Sequence, residues 1–440
     1  MVQYLRTLST FFRLPFSVQW RTFLVQLPRY VPLPILHITS PDGPHPFIIA
    51  LPSREAHKIP IYVFIPPTPR SNTNGEASCP VLLDFHGGGF IMGSPLEQAP
   101  FCAMMSRKLG AVVISASYRL GPFHQFPAAI HDAEDVLAAI LDTEGETEGG
   151  RVLRQGIQKH YTMLKSGGRK DPAARAATKI TLDPTHLSIS GFSAGGNLAL
   201  NLALSIPASY PLSPSGEGIE SPPSSPGRLL STKSDLEATE ISDPWPSLLP
   251  HPHAHPTLIP LLLFYPSLDA RLPPHQRPLP PTINPTADNT NPEKPRVPGL
   301  FSIMGPTYLP KRLRAHPRAS PGLISPEHGL HKNVGIFLVL PERDSLAVQS
   351  SVWVNKMNEA GWDGPVRHGD SSDAAAKTET GEGSGGENGG LEVWHAPGCR
   401  HGWTQFPETW LGKHEKKERV EVFKRALEFV SEGWGVEVQS

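Results

Sequence analysis

Apolar residues along this chain recur at two spacings, and the change from one to the other sets the expected architecture. Short apolar runs over 61–65, 81–85, 111–117, 258–265 and 335–340, with a last one over 392–395, have the length and composition of strands. The 258–265 and 335–340 runs are apolar throughout, as strands buried on both faces of a parallel sheet must be. Segments of helical period separate or follow these runs. One covers 99–109, a second covers 128–141 with Ile130, Val136, Leu137 and Ile140 inward, and a third covers 414–433 with Val420, Phe423, Leu427 and Val430 on one side. Strand, helix and strand in that order predict an α/β fold with a mostly parallel sheet.

Three segments break the pattern. Residues 144–179 are charged and irregular, 211–256 are rich in serine and proline, and 368–390 mix Gly, Ser, Glu and Asp. All three are expected to be disordered insertions, because such composition buries too little apolar surface to offset the entropy of ordering it. Residues 1–30 differ again, with Arg6, Arg13, Arg21 and Arg29 and no acidic residue. Tyr4, Leu5, Leu8, Phe11 and Phe12 form one apolar helical face, and after Pro15 a second follows with Trp20, Phe23, Leu24 and Leu27. Arginines and prolines interrupt every run long enough to span a bilayer, and no secretory cleavage site is present. Helices packed over an active site, an interfacial membrane anchor and an organelle-targeting segment all fit this stretch. The expectation is an intracellular protein, cytoplasmic or in peripheral membrane contact through residues 1–30.

Composition then narrows the function. The chain has 440 residues, 38% hydrophobic and 18% charged, enough for one large core or two modest domains. With 40 lysines and arginines against 41 acidic residues, the net charge of -1 gives no electrostatic case for a nucleic-acid partner. Cys79, Cys102 and Cys399 are too scattered for a disulfide framework or a zinc site, and no phosphate loop or dinucleotide fingerprint occurs. No metal and no cofactor is implied.

The candidate chemistry centres on Ser193, within His186-Leu-Ser-Ile-Ser-Gly-Phe-Ser-Ala-Gly-Gly-Asn197. Leu187 and Ile189 alternate with polar neighbours as in a strand, while Leu198, Ala199, Leu202 and Ala203 recur at helical spacing. A serine between the two, flanked by Gly191 and Gly195, has the setting of a nucleophile elbow. Side chains at the two glycines would collide with strand or helix, and the corner holds the hydroxyl toward substrate.

A serine hydroxyl needs a base, and the base needs an orienting acid. Asp344 follows the 335–340 run and His401 follows the last one, so both fall just past strand ends on the side where Ser193 emerges. Glu342 is a rival for the acid, although Asp344 better fits the start of the next helix. His86-Gly-Gly-Gly89 follows another strand run. Three glycines carry an entropic cost with no packing return, unless backbone N–H groups must approach a ligand. Two amides of Gly87, Gly88 and Gly89, with that of Ala194, are expected to form an oxyanion hole, and His86 is expected to brace the loop.

These stretches, with Ser117-Tyr-Arg-Leu-Gly-Pro122, Phe264-Tyr-Pro-Ser-Leu-Asp269 and His401-Gly-Trp403, resemble the hormone-sensitive-lipase-like, HGGG-type branch of the α/β-hydrolase family. The resemblance implies an eight-stranded, mostly parallel sheet flanked by helices, with a helical cap from about 1–50 and 298–318. It implies cofactor-free hydrolysis of a small-molecule carboxylic ester through Ser193, Asp344 and His401. Phe192 stands where the family often has an acid, and Ser345 where it commonly has proline. The cap segments supply Phe, Trp, Leu and Met but no evident charged clamp, so apolar short- to medium-chain acyl esters are the expected substrates. A non-catalytic binding protein on the same scaffold is the alternative class, and a lipase or sterol-ester deacetylase is the nearest variant among enzymes.

Overall fold

The computed structural model describes residues 11–55, 57–70, 77–166, 179–206, 244–251, 257–283, 296–369 and 390–439. Its centre is one sheet of nine strands: β1 (Phe47–Pro52), β2 (Lys58–Phe64), β3 (Ala77–Phe85), β4 (Val112–Ala116), β5 (Ile180–Phe192), β6 (Ile259–Phe264), β7 (Val334–Arg343), β8 (Val366–His368) and β9 (Leu391–Arg400). They lie in the order β1-β2-β4-β3-β5-β6-β7-β9-β8. From β4 to β8 every pairing is parallel, while β1–β2 and β2–β4 are antiparallel.

Successive residues of the central strands feed two cores. Leu83, Ile189, Leu261 and Leu338 pack on one side, and Leu82, Leu262 and Phe337 on the other, all fully buried. This two-sided burial is why β6 and β7 read as unbroken apolar runs. Helices Ala128–Leu141, Ala194–Leu202 and Ala347–Glu359 contribute to the first core, and Ala99–Leu109 and Lys413–Trp434 to the second.

Several expectations need correction. The sheet has nine strands, not eight. Residues 144–179 are not an irregular insertion throughout, since Glu148–Lys165 is an 18-residue helix. Leu153, Ile157 and Tyr161, four apart, form its buried side, and the Thr147 hydroxyl caps the Gly150 N–H at 3.0 Å. Gly156 lies against β1, where an added Cβ would come 2.6 Å from Ile49 Cδ1, so a larger residue there would have to displace that side chain. Val420 points outward, and the C-terminal helix buries Val422, Ala426, Leu427 and Val430.

Helix Phe16–Gln26 forms after Pro15 but buries Val18, Thr22 and Val25. Its expected face of Trp20, Phe23, Leu24 and Leu27 is exposed. Tyr4, Leu5 and Leu8 lie outside the described residues, as does most of 211–256 and of 368–390. Among the described residues no helix is long and apolar enough to cross a membrane.

Candidate active site

Ser193 sits where β5 turns into helix Ala194–Leu202, with φ +55° and ψ −110°. A positive φ at a residue with a side chain is strained, and its surroundings hold it. The Ser193 N–H donates to Phe264 O at 2.9 Å, while its carbonyl accepts from Asn197 and Ser267. A Cβ at Gly191 would lie 2.1 Å from Gly195 O, and one at Gly195 would lie 2.1 Å from Phe85 O. Both flanking positions therefore exclude any side chain.

The other two nominated residues converge on this corner. His401 Nε2 is 3.0 Å from Ser193 Oγ, and His401 Nδ1 is 2.7 Å from Asp344 Oδ2. The carboxylate can only accept, so Nδ1 carries the imidazole proton and Nε2 is left to accept from the serine hydroxyl. Asp344, 2% exposed, also accepts the Leu346 N–H through Oδ1 at 2.8 Å. The rival Glu342 is turned elsewhere and accepts the Gly398 N–H at 2.6 Å.

Gly88, Gly89 and Ala194 line the same cavity, and among the described residues no backbone carbonyl accepts from their amides. Gly88 has φ +111°, and a Cβ there would meet Met92 O at 2.1 Å. Gly87 is not among the residues that line the cavity, and an added Cβ there would meet Gln405 and Phe192 O. His86 is fully buried, stacks on Tyr118 at 4.3 Å and donates from Nδ1 to Gly87 O at 2.7 Å. Burial pushes its pKa down to about 3, which keeps the ring neutral as a brace beneath the loop.

Strand β3, which delivers the glycine loop, carries a fully buried carboxylate. Asp84 accepts from Ser115 Oγ on β4 and Ser190 Oγ on β5, each at 2.7 Å, and those serines are its register partners on the two neighbouring strands. Burial raises its pKa to about 6. Cys399 is buried, and burial raises its thiol pKa well above the ordinary range, so it is no nucleophile. Phe192 stacks on Phe264 at 4.3 Å and is apolar filling behind the serine.

The cavity has a volume of ≈ 1430 Å3 and a mainly apolar lining. The sequence reading missed its polar members. Gln98 is 2% exposed, and neither end of its amide has a hydrogen-bond partner among the described residues, while burial holds the neighbouring Glu97 carboxyl up to about 7. Arg277 and Arg314 also line the cavity, contrary to the expectation that no charged clamp is present. Nothing local in the sequence marks them: Arg277 is an isolated basic residue among prolines, and Arg314 is one of several in Lys311-Arg312-Leu-Arg314-Ala-His-Pro-Arg318. Among the described residues, no group of three His, Cys, Asp or Glu side chains could hold a metal.

A family model described as alpha/beta hydrolase fold matches residues 82–370. Probable carboxylesterase 8 of Arabidopsis thaliana is 33% identical over 139 residues, which is 31% of this chain and 35% of that protein. Esterase LipI of Mycobacterium tuberculosis is 36% identical over 115 residues, 26% of this chain and 31% of that protein. The matched stretches thus span about a third of each relative's length. A solved esterase structure from Pyrobaculum calidifontis shares 17% identity, covers 94% of this chain and 92% of its own, and has a TM-score of 0.49.

Proposed function

The chain belongs to the alpha/beta hydrolase fold family, and from that premise we propose that it is a serine carboxylic-ester hydrolase working through an acyl-enzyme. The observation that carries this reading is His401, bonded at 2.7 Å to Asp344 and at 3.0 Å to Ser193 at the wall of a cavity that Gly88, Gly89 and Ala194 also line. Ser193 Oγ attacks the ester carbonyl carbon, and its proton passes to His401 Nε2. Asp344 stabilises the imidazolium and keeps its own charge. The carbonyl oxygen, now an oxyanion, takes the N–H groups of Gly88, Gly89 and Ala194, and the N-terminus of helix Ala194–Leu202 adds favourable field. Collapse breaks the bond to the alcohol oxygen, which leaves with the proton from His401. Water then repeats the sequence on the acyl-serine and releases the acid.

Apolar acyl groups suit the lining, in which Phe90, Phe126, Leu309 and Phe406 take part. The cap is drawn from residues 11–46 and 298–318, whose Leu24, Leu27, Phe301 and Tyr308 border the cavity, while residues 47–50, expected in the cap, belong to strand β1. The names of the two similar proteins, an esterase and a probable carboxylesterase, support the same reaction class. A purely binding role has no such support, since it leaves an aligned base beside a strained serine without a use. Hydrolysis of 4-nitrophenyl butyrate by the protein and by Ser193→Ala tests the reading. Turnover in the first and loss in the second is expected, and equal rates overturn it.

A further inference from the structure

We propose that the cavity takes esters that also carry an anionic group, such as a carboxylate, seated against the guanidinium groups of Arg277 and Arg314. This deepens the ester-hydrolase reading and rests on it. Both arginines line the cavity that holds Ser193 and His401. Arg277 makes one side-chain hydrogen bond, from Nε to Leu272 O at 3.2 Å, and its terminal nitrogens have no partner among the described residues. The Arg314 guanidinium has no hydrogen bond or ion pair among the described residues.

The carboxylates within electrostatic reach of Arg277 are Asp344 and Asp269, and both are committed. Asp344 holds His401 and the Leu346 N–H, while Asp269 pairs with Arg271 at 2.7 Å. Burial, with the nearby charge of Arg314, pushes the Arg277 pKa down to about 10. Two like charges half-withdrawn from water and facing one space are costly without an anion between or beside them. A guanidinium pair is the donor set that recognises carboxylate geometry. Arg318, also at the cavity wall, is by contrast spent on Asn201 O and Trp245 O.

The test uses two matched substrate pairs with the full-length chain: monomethyl adipate against methyl hexanoate for an acyl-side anion, and 4-acetoxybenzoate against phenyl acetate for an alcohol-side one. In at least one pair the anionic ester is expected to have the higher kcat/KM. Arg277→Met with Arg314→Met is expected to cut that anionic-to-neutral ratio by about 10- to 100-fold, the range for a lost charge-assisted hydrogen bond or two, mainly through KM. Turnover with a preference for the neutral ester in both pairs, or a ratio that the substitutions leave unmoved, overturns the anion subsite alone. Absence of turnover on all four esters overturns the hydrolase reading beneath it.

A separate observation carries a second inference. Leu24, Leu27, Val31, Ile38, Phe301 and Trp410 both line the cavity and are exposed, so its mouth has an apolar rim. Phe16, Phe23 and Tyr30, each more than two-thirds exposed, extend it along the first helix and the turn after it. No acidic residue occurs before Asp42, and Arg13 and Arg21 lie on this segment, Arg21 stacked over Trp20. We infer that this rim docks on an anionic bilayer surface, with the cavity mouth toward the lipid. The protein is expected to co-sediment with phosphatidylcholine vesicles containing phosphatidylserine more than with phosphatidylcholine alone. Phe16→Ser with Phe23→Ser is expected to weaken that binding about tenfold or more. No sedimentation with either vesicle, undiminished binding by the folded double variant, or a stable dimer that covers the rim in light scattering overturns it.

Discussion

Replacing Asp344 with Asn removes a single charge, and the surroundings leave the amide no good orientation. The carboxylate uses both oxygens, one for the Leu346 N–H at 2.8 Å and the other for His401 Nδ1 at 2.7 Å. An amide has one acceptor. If its oxygen stays with Leu346, its NH2 group faces Nδ1 and drives the imidazole proton to Nε2, which then points a donor at Ser193 and cannot take its proton. If the amide flips, its NH2 meets the Leu346 N–H head-on. With the residue 2% exposed, water cannot substitute for the lost acceptor. The expected loss in kcat is about 10^4-fold, or about 5.5 kcal/mol of barrier, with the fold retained. The assay is kcat and KM on 4-nitrophenyl butyrate beside a thermal melt. Glu342→Gln is the control, expected within about twofold of wild type because Glu342 only accepts the exposed Gly398 N–H. If Asp344→Asn stays within about tenfold of wild type, or if Glu342→Gln falls as far as Asp344→Asn, the assignment of the acid is refuted.

Three further outcomes follow from the same structure. Gly88→Ala places a methyl 2.1 Å from Met92 O at a φ of +111°, so the loop must shift, and kcat is expected to drop about 10^2-fold or more with one oxyanion donor misplaced; stopped assays on the butyrate ester read it. Leu153→Ala opens the fully buried seam of the Glu148–Lys165 helix and should cost about 2–5 kcal/mol in urea denaturation, whereas a disordered segment would show no cost. Asp84 has its pKa raised to about 6 in the fold, so its ionisation opposes folding: stability is fullest below the unfolded pKa and is lost as pH rises through about 6. Relative to Asp84→Asn, the wild type should therefore lose up to about 3 kcal/mol between acid and neutral pH. A difference between the two proteins that stays constant with pH removes that explanation.

The parts readable from the chain are those whose physical requirement is local. Gly191 and Gly195 announce the turn at Ser193 because no side chain fits either place, and the helices over 99–109 and 128–141 follow from apolar period alone. Strands β6 and β7 were readable because burial on both faces keeps them almost wholly apolar, whereas β3, β4 and β5 carry the buried Asp84, Ser115 and Ser190, which only their mutual hydrogen bonds explain. What escaped depends on neighbours distant in sequence. Gly156 weakens a helix locally, and its close approach to Ile49 of β1 is visible only in the fold. Strand β8 has three residues and exists by pairing with β9. The first helix turns Val18 and Val25 inward and leaves its larger apolar side chains at the cavity mouth, which inverts the usual reading of an amphipathic face. Arg277 and Arg314 acquire meaning only when the fold brings both to the wall around Ser193.

Acylation of Ser193 is the step on which the proposed reaction depends. Peptide mapping by mass spectrometry after acid quench of a reaction with 4-nitrophenyl butyrate tests this directly. The account predicts a butyryl group on the peptide containing Ser193, released on further incubation in the wild type, and absent in Ser193→Ala and His401→Ala. Butyryl on another residue, or turnover with no acylated Ser193 peptide and undiminished rate in Ser193→Ala, contradicts it.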